Sequence, residues 1–86
     1  MKRPKTIHNQ LYSDLVEKLC SERKRLGLSQ TEVADQLNMR QSEISKIETT
    51  ERRIDILEFA QLLQVYRINE NTKLKQFVMD FLQLED

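Results

Sequence analysis

Residues 29–48 constrain this chain more than any other stretch. Ser29 stands where a helix N-cap is wanted, and Glu32, three residues on, completes a capping box in which each satisfies the other's backbone amide. Leu28 before the cap and Val33 after it form a hydrophobic staple, and Ala34 and Leu37 continue one apolar face. Asn38, which tolerates positive φ, ends this helix. A second short helix then spans roughly residues 41–48, with only Ile44 and Ile47 turned inward. So short a helix with two apolar anchors is not stable alone. Its neighbours must hold it, and most of its surface stays open.

Around this pair, apolar residues spaced three and four apart predict three further helices. The first runs from about Ile7 or Asn9 to Leu26, with Leu11, Leu15 and Leu19 in one stripe and Gly27 as its stop. The fourth begins at Asp55, where Glu58 completes a second box-like pair and Ile54 with Phe59 a second staple. Ile56, Leu57, Phe59, Ala60, Leu62 and Leu63 make its apolar face broad, and it ends near Tyr66 or Arg67. The fifth runs from about Asn71 or Thr72 to Leu84 on the stripe Leu74, Phe77, Val78, Phe81 and Leu82. No segment alternates as a strand does, and none repeats. The chain has 86 residues, one Gly and one Pro, which fits one small all-α domain of five helices over residues 7–86. The helix-turn-helix lies at about 29–48, the C-terminal helix at about 71–84, and residues 1–6 read as a flexible basic arm.

Net charge is zero but unevenly placed. Residues 1–53 carry 11 Lys/Arg against 8 Asp/Glu, and residues 54–86 carry 3 against 6, so a basic first part and an acidic second part point to separate tasks. Cys20 is the single cysteine, which excludes an intrachain disulfide and points to a reducing, cytoplasmic setting. Following Leu19 on an apolar helix face, it reads as a small buried hydrophobe. His8 has no Cys or second His beside it, so no metal site is expected. No Ser/His/Asp set, metal-ligand spacing or phosphate-cradling Gly loop exists, so an enzyme is not expected, nor a cofactor. No apolar stretch reaches about 18 residues, so no membrane span is expected. Nor does a secretory-type apolar run follow Lys2, Arg3 and Lys5.

Arg40 occupies the N-cap position of the second short helix, where Ser, Thr, Asp or Asn would serve. The loss is about 1 kcal/mol, and a local rule broken at an exposed helix start points to function, the alternative being a solvated residue with another cap for the turn. Gln41, Ser42, Ser45 and Lys46 project from the open side of the same helix. Gln matches adenine N6 and N7, Lys and Arg favour guanine O6 and N7, and Ser donates or accepts. Glu43 either accepts from cytosine or, at the third helical position, reaches back to a backbone amide. The plain alternative for the whole face is an ordinary wet helix surface.

Residues 23–66 resemble the Cro/repressor-type helix-turn-helix family, also called the XRE family. Two runs at this spacing carry the likeness: Leu26-Gly27-Leu28-Ser29-Gln30 and Ile44-Ser45-Lys46-Ile47-Glu48. The resemblance implies a five-helix, lambda-repressor-like DNA-binding domain that dimerises on a two-fold symmetric operator, with its second motif helix in the major groove. Carried onto this chain, it implies base contacts from Arg40, Gln41, Ser42 and Lys46. Backbone contacts fall to Gln30, Ser45, Arg52 and Arg53, where Arg52 and Arg53 also read as solvated loop charge. Arg23 and Glu48 match a pair that bridges helices one and three. This chain departs from the family at Thr49 and Thr50, where Asn-Gly is frequent, and Glu51 stands where a base is common. A positive-φ position there has no Gly, so a different loop is expected. Lys2, Arg3 and Lys5 either trail into a minor groove or stay disordered.

Leu74, Phe77, Val78 and Phe81 read in two compatible ways, as closure of the core or as a homodimer interface. The leading expectation is a sequence-specific regulator of double-stranded DNA, most simply a dimeric repressor that occludes a promoter. The other is an antitoxin-type module that binds a protein partner and represses its own promoter, a reading favoured by the acidic, apolar C-terminal part.

Overall fold

Helix boundaries follow from side chains that satisfy otherwise unpaired backbone groups. The computed structural model describes residues 5–83, with side chains from Gln10 onward. Lys2, Arg3, Leu84, Glu85 and Asp86, and the side chains of Lys5, Ile7 and His8, lie outside the described residues. Helix α1 spans Lys5–Arg25, α2 Gln30–Leu37, α3 Gln41–Glu48, α4 Ile56–Val65 and α5 Thr72–Leu82. A short 3-10 helix, Ile68–Glu70, precedes α5, and among the described residues there is no strand. The chain is the expected all-α, five-helix domain with a helix-turn-helix.

Gly27, at φ 74°, ends α1: its amide donates to Lys24 O (3.0 Å) and that of Leu28 to Arg23 O (3.1 Å). In the α2 capping box, Ser29 Oγ accepts from Glu32 N (3.0 Å) and Glu32 Oε1 from Ser29 N (2.8 Å). Asn38, at φ 57°, closes α2, with Met39 N donating to Ala34 O (2.8 Å). Asp55 and Glu58 form the same reciprocal box at α4, and the Asn71 side chain accepts from Leu74 N at the start of α5.

The core gathers Leu15, Val16 and Leu19 from α1, Val33, Ala34 and Leu37 from α2, and Ile44 and Ile47 from α3. Leu62, Tyr66, Leu74 and Val78 complete it. Each fully buried apolar side chain contributes roughly 1.5–3 kcal/mol. Helices α2 and α3 pack on each other, α4 packs on α2, and α5 lies against α1. Glu22, buried on α1, accepts from Arg25 (2.7 and 2.9 Å) and from Asn71 Nδ2 (2.9 Å), which fastens α1 to the start of α5.

Three expectations change. The broad apolar face of α4 is not all buried: Leu62 is, but Ile56 is 85% and Leu57 65% exposed. The stripe is wider than α2 alone can cover. Leu11, placed in the α1 stripe, is half exposed, and among the described side chains of α1 the first buried one is Leu15. The loop after α3 keeps the left-handed position without a glycine: Thr50 adopts φ 65°, with Thr50 N donating to Ile47 O (3.1 Å) and Glu51 N to Lys46 O (2.9 Å).

Candidate nucleic-acid interface

Helix α3 has one dry side and one wet side. Ile44 and Ile47 are buried, whereas Arg40, Gln41, Ser42 and Lys46 are exposed and Ser45 is half-buried. Arg40 has the extended backbone of an N-cap (φ −87°, ψ 148°) but no side-chain capping bond. Glu43 supplies the cap instead, its Oε1 accepting from Arg40 N at 3.0 Å. The helix start is thus half-capped from its third position, and the Arg40 guanidinium has no capping duty. Lys46 and Ser42 make no side-chain hydrogen bond or ion pair among the described residues.

Behind this edge lies a polar network. Glu48 Oε2 accepts from Arg23 Nε (2.7 Å), and its Oε1 from Arg23 Nη2 (3.0 Å) and Gln30 Nε2 (2.8 Å). The Cys20 thiol lies 3.4 Å from the same Oε1, and Arg23 Nη1 donates to Leu28 O (2.8 Å). Gln41 Nε2 donates to Gln30 Oε1 at 2.6 Å, so the chain of bonds runs from α1 through Glu48 and Gln30 to the first residue of α3. Both side chains of the Arg23–Glu48 pair are only 10% exposed. Burial pushes the Glu48 carboxyl up, but the bonds from Arg23 and Gln30 prevail and hold it below the usual carboxylate value. The Glu48 bond raises Arg23 in turn. Removing one partner of such a pair costs about 3–5 kcal/mol, because it strands a desolvated charge.

Cys20 is therefore not the buried hydrophobe expected of it. It is half-buried and points its thiol at a carboxylate, because α1 turns this position toward the end of α3. Burial, followed by the Glu48 charge, pushes its pKa up, which keeps it a thiol.

The loop after α3 is tied down rather than open. Arg52 makes a bidentate pair with Glu58 (2.7 and 2.8 Å) and lies 3.9 Å from Glu43. The Arg53 guanidinium stacks 4.8 Å from the Tyr12 ring, and Tyr12 Oη accepts from Ile54 N (3.0 Å). Tyr12, Glu58 and Cys20 were not singled out for these roles. Their partners are set by tertiary placement, and only Glu58, six residues from Arg52, had a local signal.

On α5, Leu74 and Val78 do not face outward as an interface would require. They are 5% and 4% exposed in the chain's own core, because α5 turns that stripe onto α1. Phe77 is half-buried, with Lys18 Nζ 5.5 Å from its ring. Phe81 and the exposed Leu82 line an apolar groove with Tyr12, Ile54, Ile56 and Phe59. No described helix is long and apolar enough to cross a membrane.

The sequence model of a family described as helix-turn-helix matches residues 21–72, more than half of the chain. Neither curated proteins nor solved structures yield a match.

Proposed function

Because the chain belongs to the Cro/repressor-type helix-turn-helix family of DNA-binding regulators, we propose that it reads double-stranded DNA by sequence and acts as a dimeric repressor. The observation that carries this is the two-sidedness of α3: two isoleucines anchor it, and Arg40, Gln41, Ser42 and Lys46 stand exposed along its outer edge. Set in a major groove, Gln41 meets adenine, Lys46 and Arg40 meet guanine or the groove edge, and Ser42 donates or accepts. Gln30, first in α2, and Ser45 face phosphates, where the amides at the α2 N-terminus add their dipole. Arg52 and Arg53 extend this backbone contact, with the Arg52 charge partly offset by Glu58. The mechanism involves no catalysis and no cofactor. A repressor so built works by occupying a promoter.

Three or four base-contacting side chains specify few base pairs, so two copies reading half-sites about 34 Å apart supply the missing information. Phe81 and Leu82, beside Ile56, form the apolar edge through which two copies would meet.

The test is selection of bound duplexes from a randomised DNA pool at near-physiological salt, followed by sequencing. Enrichment of a two-fold symmetric motif supports a dimeric reader. Failure of the folded protein to enrich any motif sinks the proposal. Pull-down of a protein partner then tests the antitoxin-type reading, which the exposed Ile56 and Leu57 favour.

A further inference from the structure

We propose that Glu58 is a positioning residue that sets how selectively the protein binds: by holding the Arg52 guanidinium it withholds a cation from the DNA backbone and keeps binding to unmatched sequences weak. The proposal rests on the reading of α3 and the loop after it as the DNA-facing edge. Attraction to phosphates is independent of sequence and grows with each cation that meets one, whereas base contacts carry the discrimination. A chain that reads DNA through one short helix therefore gains selectivity by restraining the cations beside that helix. Arg52 stands there. Its backbone N donates to Lys46 O (3.2 Å) in the last turn of α3, and its Nη2 lies 3.9 Å from Glu43 in the first turn.

Most of its donors are nevertheless turned inward. Nη1 donates to Glu58 Oε1 (2.8 Å) and Nη2 to Glu58 Oε2 (2.7 Å), a bidentate pair with both side chains partly buried. Nη1 also donates to Arg53 O (3.3 Å), and of the three nitrogens Nε alone makes no bond among the described residues. The carboxylate cannot follow the guanidinium outward. Glu58 is the third residue of α4, and its Oε1 accepts from Asp55 N (3.1 Å) in the box that starts the helix. Arg52 must therefore leave both oxygens to grip a phosphate with its Nη groups. Without the Glu58 charge, the guanidinium swings free on a long side chain and follows phosphates in any register. That gain is largest on unmatched DNA, where backbone attraction supplies essentially all of the binding. On a matched site the α3 contacts fix the register, so the freed arginine adds less. The contact left to Nε agrees with a modest backbone role for Arg52.

The experiment titrates wild type, Glu58→Gln, Arg52→Met and the double variant against a duplex bearing the selected motif and one with that motif scrambled, between about 50 and 200 mM salt. Thermal unfolding of each protein runs alongside. Glu58→Gln keeps an oxygen for the Asp55 amide, so the cap of α4 survives. Should it unfold, Glu58→Asp, which draws the carboxylate back by one methylene, takes its place under the same criteria. In Glu58→Gln the scrambled duplex is expected to bind about three- to tenfold tighter, with a salt dependence steeper by about one phosphate contact. The matched-over-scrambled ratio should fall by at least about threefold, and adding Arg52→Met should remove the gain. A merely structural role for Glu58 would not tighten binding. Unchanged or weaker binding to the scrambled duplex overturns the proposal, as does equal tightening on both duplexes. So does the same gain from Glu58→Gln in the Arg52→Met background, which would mean that Glu58 acts by its own charge and not through Arg52. If wild type does not prefer the motif over its scrambled form, the underlying reading fails first, and that is seen before Glu58 is altered.

Discussion

Thr50 holds a backbone conformation that a β-branched residue seldom takes, φ 65°, and it does so to close α3. It is one of several such positions: Gly27, Asn38, Arg67 and Gln83 are also left-handed, and the chain has a single glycine. The left-handed conformation costs a side-chain-bearing residue roughly 1–2 kcal/mol, and glycine gives back part of that through its looser unfolded chain. Thr50→Gly is therefore expected to stabilise the protein by about 0.5–1 kcal/mol, read as a higher thermal midpoint. A lower midpoint would mean that the threonine side chain does more than tolerate the turn. Glu48 gives a second prediction at this scale. Its folded pKa lies below the ordinary 4.5, so the charged form is favoured by folding. That stabilisation is full above the unfolded pKa and disappears as pH falls through the lower, folded one. Urea unfolding of wild type should weaken in that acid window, and Glu48→Gln, already weaker at neutral pH, should lose less there. Parallel acid limbs for the two proteins would refute the assignment.

Among the elements, α3 is the one with least of its own stability and most of the exposed chemistry. Lys46 stands on its outer edge without a partner among the described residues. Lys46→Ala should cost about 1–3 kcal/mol on a matched duplex and relax discrimination at one position, with little change in unfolding. Equal weakening on every sequence, together with a shallower salt dependence, would move Lys46 to the phosphate contacts. This helix was legible in the sequence because its signals are local. The Ser29–Glu32 box, Asn38 at a left-handed position and the reach of Glu43 to the Arg40 amide all act across three or four residues. The 3-10 helix before α5 carried no comparable pattern. Contacts that depend on how helices meet were not legible either. Cys20 and Glu48 are 28 residues apart and Tyr12 and Ile54 are 42 apart, so no spacing rule joins them. Gln41 was visible as a candidate DNA contact from the open side of its helix, and Gln30 through the family resemblance, but their bond to each other was not.

For the whole molecule, the proposed dimer needs a surface through which two copies meet. The apolar stripe of α5 was legible, but not its division of labour: Leu74 and Val78 close the core, and Leu82 stays 44% exposed beside Phe81 and Ile56. Leu82→Glu alters the exposed edge without entering the core, unlike Phe81→Glu, which also removes packing. Sedimentation at micromolar concentration should show a wild-type dimer and a folded Leu82→Glu monomer that binds DNA poorly. A wild type that stays monomeric would dismiss α5 as the interface. The central claim, that the outer edge of α3 meets base edges, is tested most directly by paired selections from one randomised pool, with wild type beside Gln41→Ala. The account predicts a two-fold symmetric motif from wild type, and from the variant the same motif with its preference erased at one symmetry-related pair of positions. An identical motif from both proteins would contradict it.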